Sequence, residues 1–120
     1  RRNVMQYLIS GKVIHGDDYG KKLGFPTVNL HIEDTELLPM GVYAGTATLD
    51  KIEYRAGIVI SKDLSRAKSR DKIEAHLIGY NGDAYGKIVA LEIKDFIREY
   101  KNFDTEAELI NQIKEDLKKC

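Results

Sequence analysis

Residues 41–61 read GVYAGTATLDKIEYRAGIVIS, and this stretch decides the fold. In its second half Ile52, Tyr54, Ala56, Ile58 and Ile60 recur at every second position, the period of a strand with one buried face. Residues 42–49 form a matching strand ahead of it, and Asp50-Lys51 between them is a tight turn. Working outward, residues 7–14 (YLISGKVI) predict a first strand bending at Gly11, and residues 73–80 (IEAHLIGY) predict another. Asn81-Gly82 is a hairpin signal, after which residues 84–95 alternate with Tyr85, Lys87, Val89, Leu91 and Ile93 on one side. Lys87 is out of place on such a face, which implies that the face opens near one end. The polar segments 33–36 and 61–72 read as a link and as a loop or one short exposed helix.

The period changes near the C-terminal end of the sequence. Asp104 or Thr105 can cap a helix, and Thr105 with Glu108 matches a capping box. Leu109, Ile110, Ile113 and Leu117 then share one side, with Lys118 and Lys119 at the favourable end of the helix dipole. The expectation is a mostly β domain of five or six antiparallel strands plus one C-terminal amphipathic helix. Such a sheet can curl into a barrel with the helix packed across an opening, or split into a sandwich.

The 120 residues leave room for one hydrophobic core, so residues 1–120 are read as a single domain. Nineteen basic residues balance nineteen acidic ones. Phosphate neutralisation dominates duplex binding, so this balance argues against a nucleic-acid partner. Cys120 is the only cysteine, which excludes an intrachain disulfide and fits a reducing compartment. No apolar run approaches the roughly 20 residues that cross a bilayer, and the opening RRNVMQYLIS lacks a secretory apolar stretch. The expectation is therefore a cytoplasmic monomer with no membrane partner, either standing alone or cut from a longer chain.

Chemistry concentrates in residues 15–30, HGDDYGKKLGFPTVNL, where Gly16, Gly20, Gly24 and Pro26 crowd together. The Walker spacing is missed, which excludes the P-loop fold. Phosphate binding needs only backbone N–H groups that converge on an anion, with Lys21 or Lys22 to add charge. An ordinary turn would look the same. Pro26 fixes the backbone before Thr27, whose hydroxyl can meet Mg²⁺ or a phosphate oxygen, and Asn29 falls on the same face of an extended chain. A Thr/Asn pair bracing a turn is the plainer alternative. Glu74 and His76 also share a face; with Ala75 and Leu77 inward, Glu74 points out of the core, where a carboxylate can act as general base. His76 is more readily a structural hydrogen-bonding residue. Tyr80, Tyr85, Phe96, Tyr100 and Phe103 can pack in the core or stack on a planar ring, and Arg98 can meet an anion or water.

Together these pieces resemble the riboflavin kinase family, including the kinase module of bacterial bifunctional FAD synthetases. The resemblance rests on GxxxGxxLGFPTxN at 16–29, LPMGVYAG at 38–45, EAHL at 74–77, DAYGKIVALEIKDFIREYKNF at 83–103 and LINQIKED at 109–116. It implies a six-stranded antiparallel Greek-key barrel with a C-terminal α-helix. It also implies conversion of riboflavin and ATP to FMN and ADP with Mg²⁺. By the family pattern Thr27 and Asn29 hold the metal and the nucleotide phosphates, and Gly16, Gly20, Lys21, Lys22, Gly24 and Pro26 belong to the nucleotide loop. Glu74 is then the catalytic base, and Arg98, Tyr85 and Tyr80 lie toward the flavin. Two stretches depart from the pattern: IVISKDLS at 58–65 stands where N-I-G-x-R-P-T is usual, and Gly79 replaces an aspartate. Both departures fall on the flavin side, which keeps a non-catalytic flavin- or nucleotide-binding module open as the alternative. RNA binding on a small barrel is a weaker third reading, since the charge is balanced.

Overall fold

The structure, a computed structural model, describes residues 7–16, 19–32, 39–63 and 70–120. Six strands form in chain order: β1 (Tyr7–Ile14), β2 (Val28–His31), β3 (Gly41–Leu49), β4 (Ile52–Asp63), β5 (Arg70–Leu77) and β6 (Ile88–Arg98). A four-residue helical turn, α1 (Tyr19–Lys22), interrupts the first connection, and α2 (Glu106–Lys118) follows the last strand. The strands close into a barrel in the order β1-β2-β5-β4-β3-β6, every neighbouring pair antiparallel. Strands β3, β4 and β5 are consecutive neighbours and β2 lies beside β5, which is the Greek-key arrangement. Closure removes the free strand edges that an open sheet would expose.

The barrel interior follows from the period-2 pattern. Ala56, Ile58 and Ile60 of β4, Ile73 and Ala75 of β5, and Val89, Leu91 and Ile93 of β6 are at most 1% exposed. Tyr43, Ala47 and Leu49 complete the interior from β3, and Val13 and Leu30 from β1 and β2. Ile52, at the start of the β4 alternation, remains exposed. The β3–β4 turn is the expected Asp50-Lys51 pair, with φ of 52° and 68° at two residues that are not glycine. That is the two-residue hairpin geometry that matches strand twist.

Several local expectations give way to the barrel. Strand β4 runs on to Asp63 and pairs with β5 from Arg70, so both ends of the polar 61–72 segment are strand; residues 64–69 lie outside the described residues. Mixed charge hid this ladder because its outer face needs no apolar side chains. The Asn81-Gly82 signal does not make a hairpin, since β5 pairs with β2 and β4 while β6 pairs with β1 and β3. Barrel closure separates the two strands that the turn would have joined. The last strand begins at Ile88, which leaves Tyr85 and Lys87 exposed ahead of it. Lys87 instead donates to Asp50 at 2.6 Å, and that carboxylate holds the ammonium above its usual range. The polar link 33–36 and Asp17-Asp18 lie outside the described residues.

Helix α2 starts at the predicted cap: the Glu108 backbone N–H donates to the Thr105 hydroxyl at 3.2 Å. It packs on the outer wall of the barrel, not across an opening. Gly57, whose neighbours Ala56 and Ile58 point inward, makes that approach possible, because a Cβ there would stand 3.1 Å from Leu117 Cδ2. The guanidinium of Arg98, at the end of β6, grips Asp116 of α2 at 2.9–3.1 Å through Nε and Nη2. Asp116 is the buried residue of this helix and takes a further bond from Gln112. Among the described residues, no helix is long and apolar enough to cross a membrane.

Two substitutions test these constraints. Lys51→Gly relieves a left-handed backbone position and is expected to stabilise the chain by about 0.5–1 kcal/mol in urea unfolding; a lower midpoint would contradict the turn assignment. Arg98→Met leaves the Asp116 carboxylate buried without its cation, which is expected to cost about 2–3 kcal/mol, given that the arginine is partly exposed. An unchanged melting curve would show that the ion pair does not anchor the helix.

Candidate active site

The site begins with strand register. Asn29 of β2 lies opposite Glu74 of β5, Glu74 opposite Val59 of β4, Val59 opposite Val42 of β3, and Val42 opposite Arg98 of β6. Directly paired residues of antiparallel strands point to the same side, so these five form one row across the outer wall. Their strand neighbours Leu30, Ile73, Ala75, Ile58 and Ile60 fill the interior, which fixes the row's outward direction. Glu74 therefore leaves the core as expected.

Loop geometry brings Thr27 to the same place. The Thr27 hydroxyl donates to Glu74 Oε1 at 3.2 Å. His76, two residues beyond Glu74, meets the Pro26 carbonyl through Nδ1 at 2.7 Å, and Phe25 stands edge-on to its ring. A carbonyl can only accept, so His76 Nδ1 carries the proton and the imidazole ties down the residue before Thr27. Lys72, two residues before Glu74, reaches the other carboxylate oxygen, Oε2, at 3.6 Å. On the other side of β2, Asn29 is buried and its amide packs against the backbone of Gly16, where any Cβ would overlap it.

Two cavities flank this cluster. One, of about 520 Å³, lies at the barrel end where β1 passes into the glycine-rich segment; His15, Gly16, Lys21, Asn29 and Tyr85 are among its walls. The other, of about 480 Å³, lies beneath α2 on the outer wall, between Val42, Val59, Glu74, Arg98 and the helix residues Leu109, Ile113 and Leu117. Both are within the size range of ligand pockets. Among the described residues, Thr27 is the one common to both walls.

Of the residues singled out in the sequence, Gly16, Lys21, Pro26, Thr27 and Asn29 border the barrel-end cavity together with Tyr80 and Tyr85. Tyr85 stacks on His15 with ring centroids 3.8 Å apart, and Tyr80 packs edge-on to Tyr54. Glu74 and Arg98 border the cavity under the helix. The two tyrosines and Arg98, grouped as one in the sequence reading, thus stand at different cavities. Gly20 lies within α1, and Lys22 and Gly24 border neither cavity. All three donor nitrogens of Arg98 are engaged, Nε and Nη2 by Asp116 and Nη1 by the Glu99 carbonyl.

Asp116 and Lys72 escaped sequence reasoning, although each carried a signal. Asp116 is a charged residue three positions after Ile113 and seven after Leu109, hence on the apolar stripe. Lys72 shares the strand face of Glu74 by period 2.

No group of three or more His, Cys, Asp or Glu side chains that could hold a metal occurs among the described residues, so a dedicated protein cage is absent there. Mg²⁺ bound with a nucleotide needs only one or two protein oxygens, the rest coming from phosphates and water. A hydroxyl and an amide beside a glycine-rich segment fit that requirement. Donation of the Thr27 proton to Glu74 leaves the hydroxyl lone pairs available for a cation.

Comparison with known proteins agrees with this architecture. Residues 4–120 match the Flavokinase (riboflavin kinase) family. The bifunctional riboflavin kinase/FMN adenylyltransferase of Buchnera aphidicola is 33% identical over 114 residues, covering 92% of this chain and 36% of that protein. This chain thus spans about a third of that relative's length. A solved structure described as a macrolide-efflux protein from Streptococcus pneumoniae superposes with a TM-score of 0.85 at 30% identity, over 92% of this chain and 37% of that one. Riboflavin kinase from Trypanosoma brucei superposes with a TM-score of 0.70 over 94% of this chain and 76% of that one; at 21% identity it speaks for the fold alone. With the match running through barrel, site segments and helix alike, the chain belongs to the riboflavin kinase family.

Proposed function

We propose that this chain transfers the γ-phosphoryl group of ATP to the 5′-hydroxyl of the riboflavin ribityl chain, giving FMN and ADP. The observation that carries the reading is the position of Thr27, which borders both cavities while its hydroxyl touches Glu74. Phosphoryl transfer needs a donor and an acceptor that meet in line, with charge stabilisation at the meeting point. A residue shared by two cavities is where such a meeting can occur.

In this reading the nucleotide occupies the barrel-end cavity. Backbone N–H groups around Gly16 and the Lys21 ammonium face its phosphates, while the His15–Tyr85 stack and Tyr80 offer ring surface for a base. Thr27 and Asn29 would hold the magnesium ion, which would offset charge developing on the transferred group. The flavin occupies the cavity under α2, where Val42, Val59, Leu109, Ile113 and Leu117 supply apolar walls. Glu74 takes the proton from the ribityl hydroxyl as its oxygen attacks phosphorus, and the terminal oxygen of ADP departs on the opposite side. Tyr80 and Tyr85 serve the nucleotide in this assignment, and Arg98 serves the acceptor side by holding the helix that roofs it.

Incubating the folded chain with riboflavin, ATP and Mg²⁺ is expected to yield FMN, followed by chromatography with fluorescence detection. Glu74→Gln is expected to lower kcat by about 10²–10⁴-fold, the usual contribution of a general base. Thr27→Ala is expected to weaken Mg-ATP and slow turnover together. Binding of both ligands without turnover, unaffected by Glu74→Gln, would instead identify a non-catalytic binding module.

A further inference from the structure

Lys72 has no part in the scheme above, yet it stands at its centre. It and Glu74 project from the same outer face of β5, and Lys72 borders the cavity under α2 beside Thr27 and Glu74. The side chains of Lys72 and Glu74 are 33% and 21% exposed, so the pair is partly withdrawn from water. The ammonium lies 3.6 Å from Glu74 Oε2, while Thr27 takes Oε1 at 3.2 Å. The two oxygens of one carboxylate are thus approached by different partners from different elements, one a strand and one the loop ahead of β2. A carboxylate with a single partner can swing about its terminal torsion, which is broad and roughly two-fold. With a partner at each oxygen, the plane of the group is set.

We propose that Lys72 is a positioning residue, which acts through Glu74 by fixing the orientation of its carboxylate toward the acceptor hydroxyl. The proposal rests on the reading of Glu74 as the proton acceptor. The backbone supports the arrangement: the β4–β5 ladder continues past Glu74 through Ser61 opposite Lys72, Lys62 opposite Asp71 and Asp63 opposite Arg70. Lys72 is therefore held within a paired strand and not on a loose end. Loss of its cation frees the carboxylate to leave the productive direction, and a misplacement of about 1 Å can cost on the order of 10²-fold in rate. The other walls of the two cavities remain when the cation is lost, so substrate binding is expected to persist.

The test is a double-mutant cycle on FMN formation. Lys72→Met is expected to lower kcat by about 10–100-fold with KM for riboflavin and for ATP within about twofold of the parent, and with an unchanged melting temperature. Lys72→Arg, which keeps the cation, is expected to recover most of the loss. In a Glu74→Gln background, Lys72→Met is expected to change kcat by less than about twofold, because a residue acting through Glu74 has nothing left to position. Three outcomes overturn the proposal: parental kcat in Lys72→Met, an equal loss in both backgrounds, or a loss confined to KM. Full turnover by Glu74→Gln alone would remove the general-base reading itself and the proposal with it, whereas an inactive Glu74→Gln beside a fully active Lys72→Met would sink only the role of Lys72.

Discussion

The pairing of β2 with β5 is the constraint on which the site depends. Strand β2 has four residues, yet it is bonded to β1 on one side and β5 on the other, and without it the barrel would stand open. Its register places Asn29 opposite Glu74 and Leu30 opposite Ile73. A slip of one residue would turn Leu30 to solvent and Asn29 into the apolar interior. Exposing the leucine costs about 1.5–3 kcal/mol, and burying an unpartnered amide adds roughly 1–3 kcal/mol. Hydrophobic alternation therefore does two jobs with one pattern: it closes the barrel and it aims polar side chains outward at one spot.

From that spot the molecule divides its surface into two chemically different recesses. The barrel-end recess is edged by glycine backbone, an amide and a lysine, which suits an anionic ligand. The recess beneath α2 has aliphatic walls from the sheet and the helix, which suits a planar apolar one. Its roof depends on a few contacts: Leu117 over Gly57, Arg55 Nη1 donating to the Cys120 carbonyl at 3.0 Å, and the Arg98–Asp116 pair. A partly buried ion pair adds little net stability compared with apolar packing, but it is directional. Its geometry fixes where the helix lies along the wall.

Much of this was legible in the sequence, and the reason is periodicity. The inward faces of β4 and β6, the outward direction of Glu74 and the Thr105 cap all follow from spacing within one element. The glycine-rich segment announced itself through residues that tolerate unusual backbone. What spacing could not give were relations between elements. Asn81-Gly82 reads as a hairpin locally, yet β5 and β6 each find other partners in the closed barrel. The division of Tyr80 and Tyr85 from Arg98 likewise depends on which end of the barrel each reaches. Asp116 was overlooked because a charge on an apolar stripe makes sense once its cation, eighteen residues earlier, is known to face it.

The two departures from the family pattern now acquire separate physical meanings. Gly79 has φ of +88°, nothing lies within 4 Å of where its Cβ would be, and it borders neither cavity. Glycine there answers a backbone requirement in an exposed turn, which asparagine and aspartate tolerate less well and most residues poorly. The IVISKDLS segment acts differently, because its residues up to Asp63 extend β4 and pair with the start of β5. That pairing includes Val59 opposite Glu74 and Ser61 opposite Lys72, so the segment lies directly beside the stretch of β5 that carries the carboxylate. Val59 of the same segment also borders the cavity under α2, so this departure touches both the strand beside Glu74 and the wall of that recess.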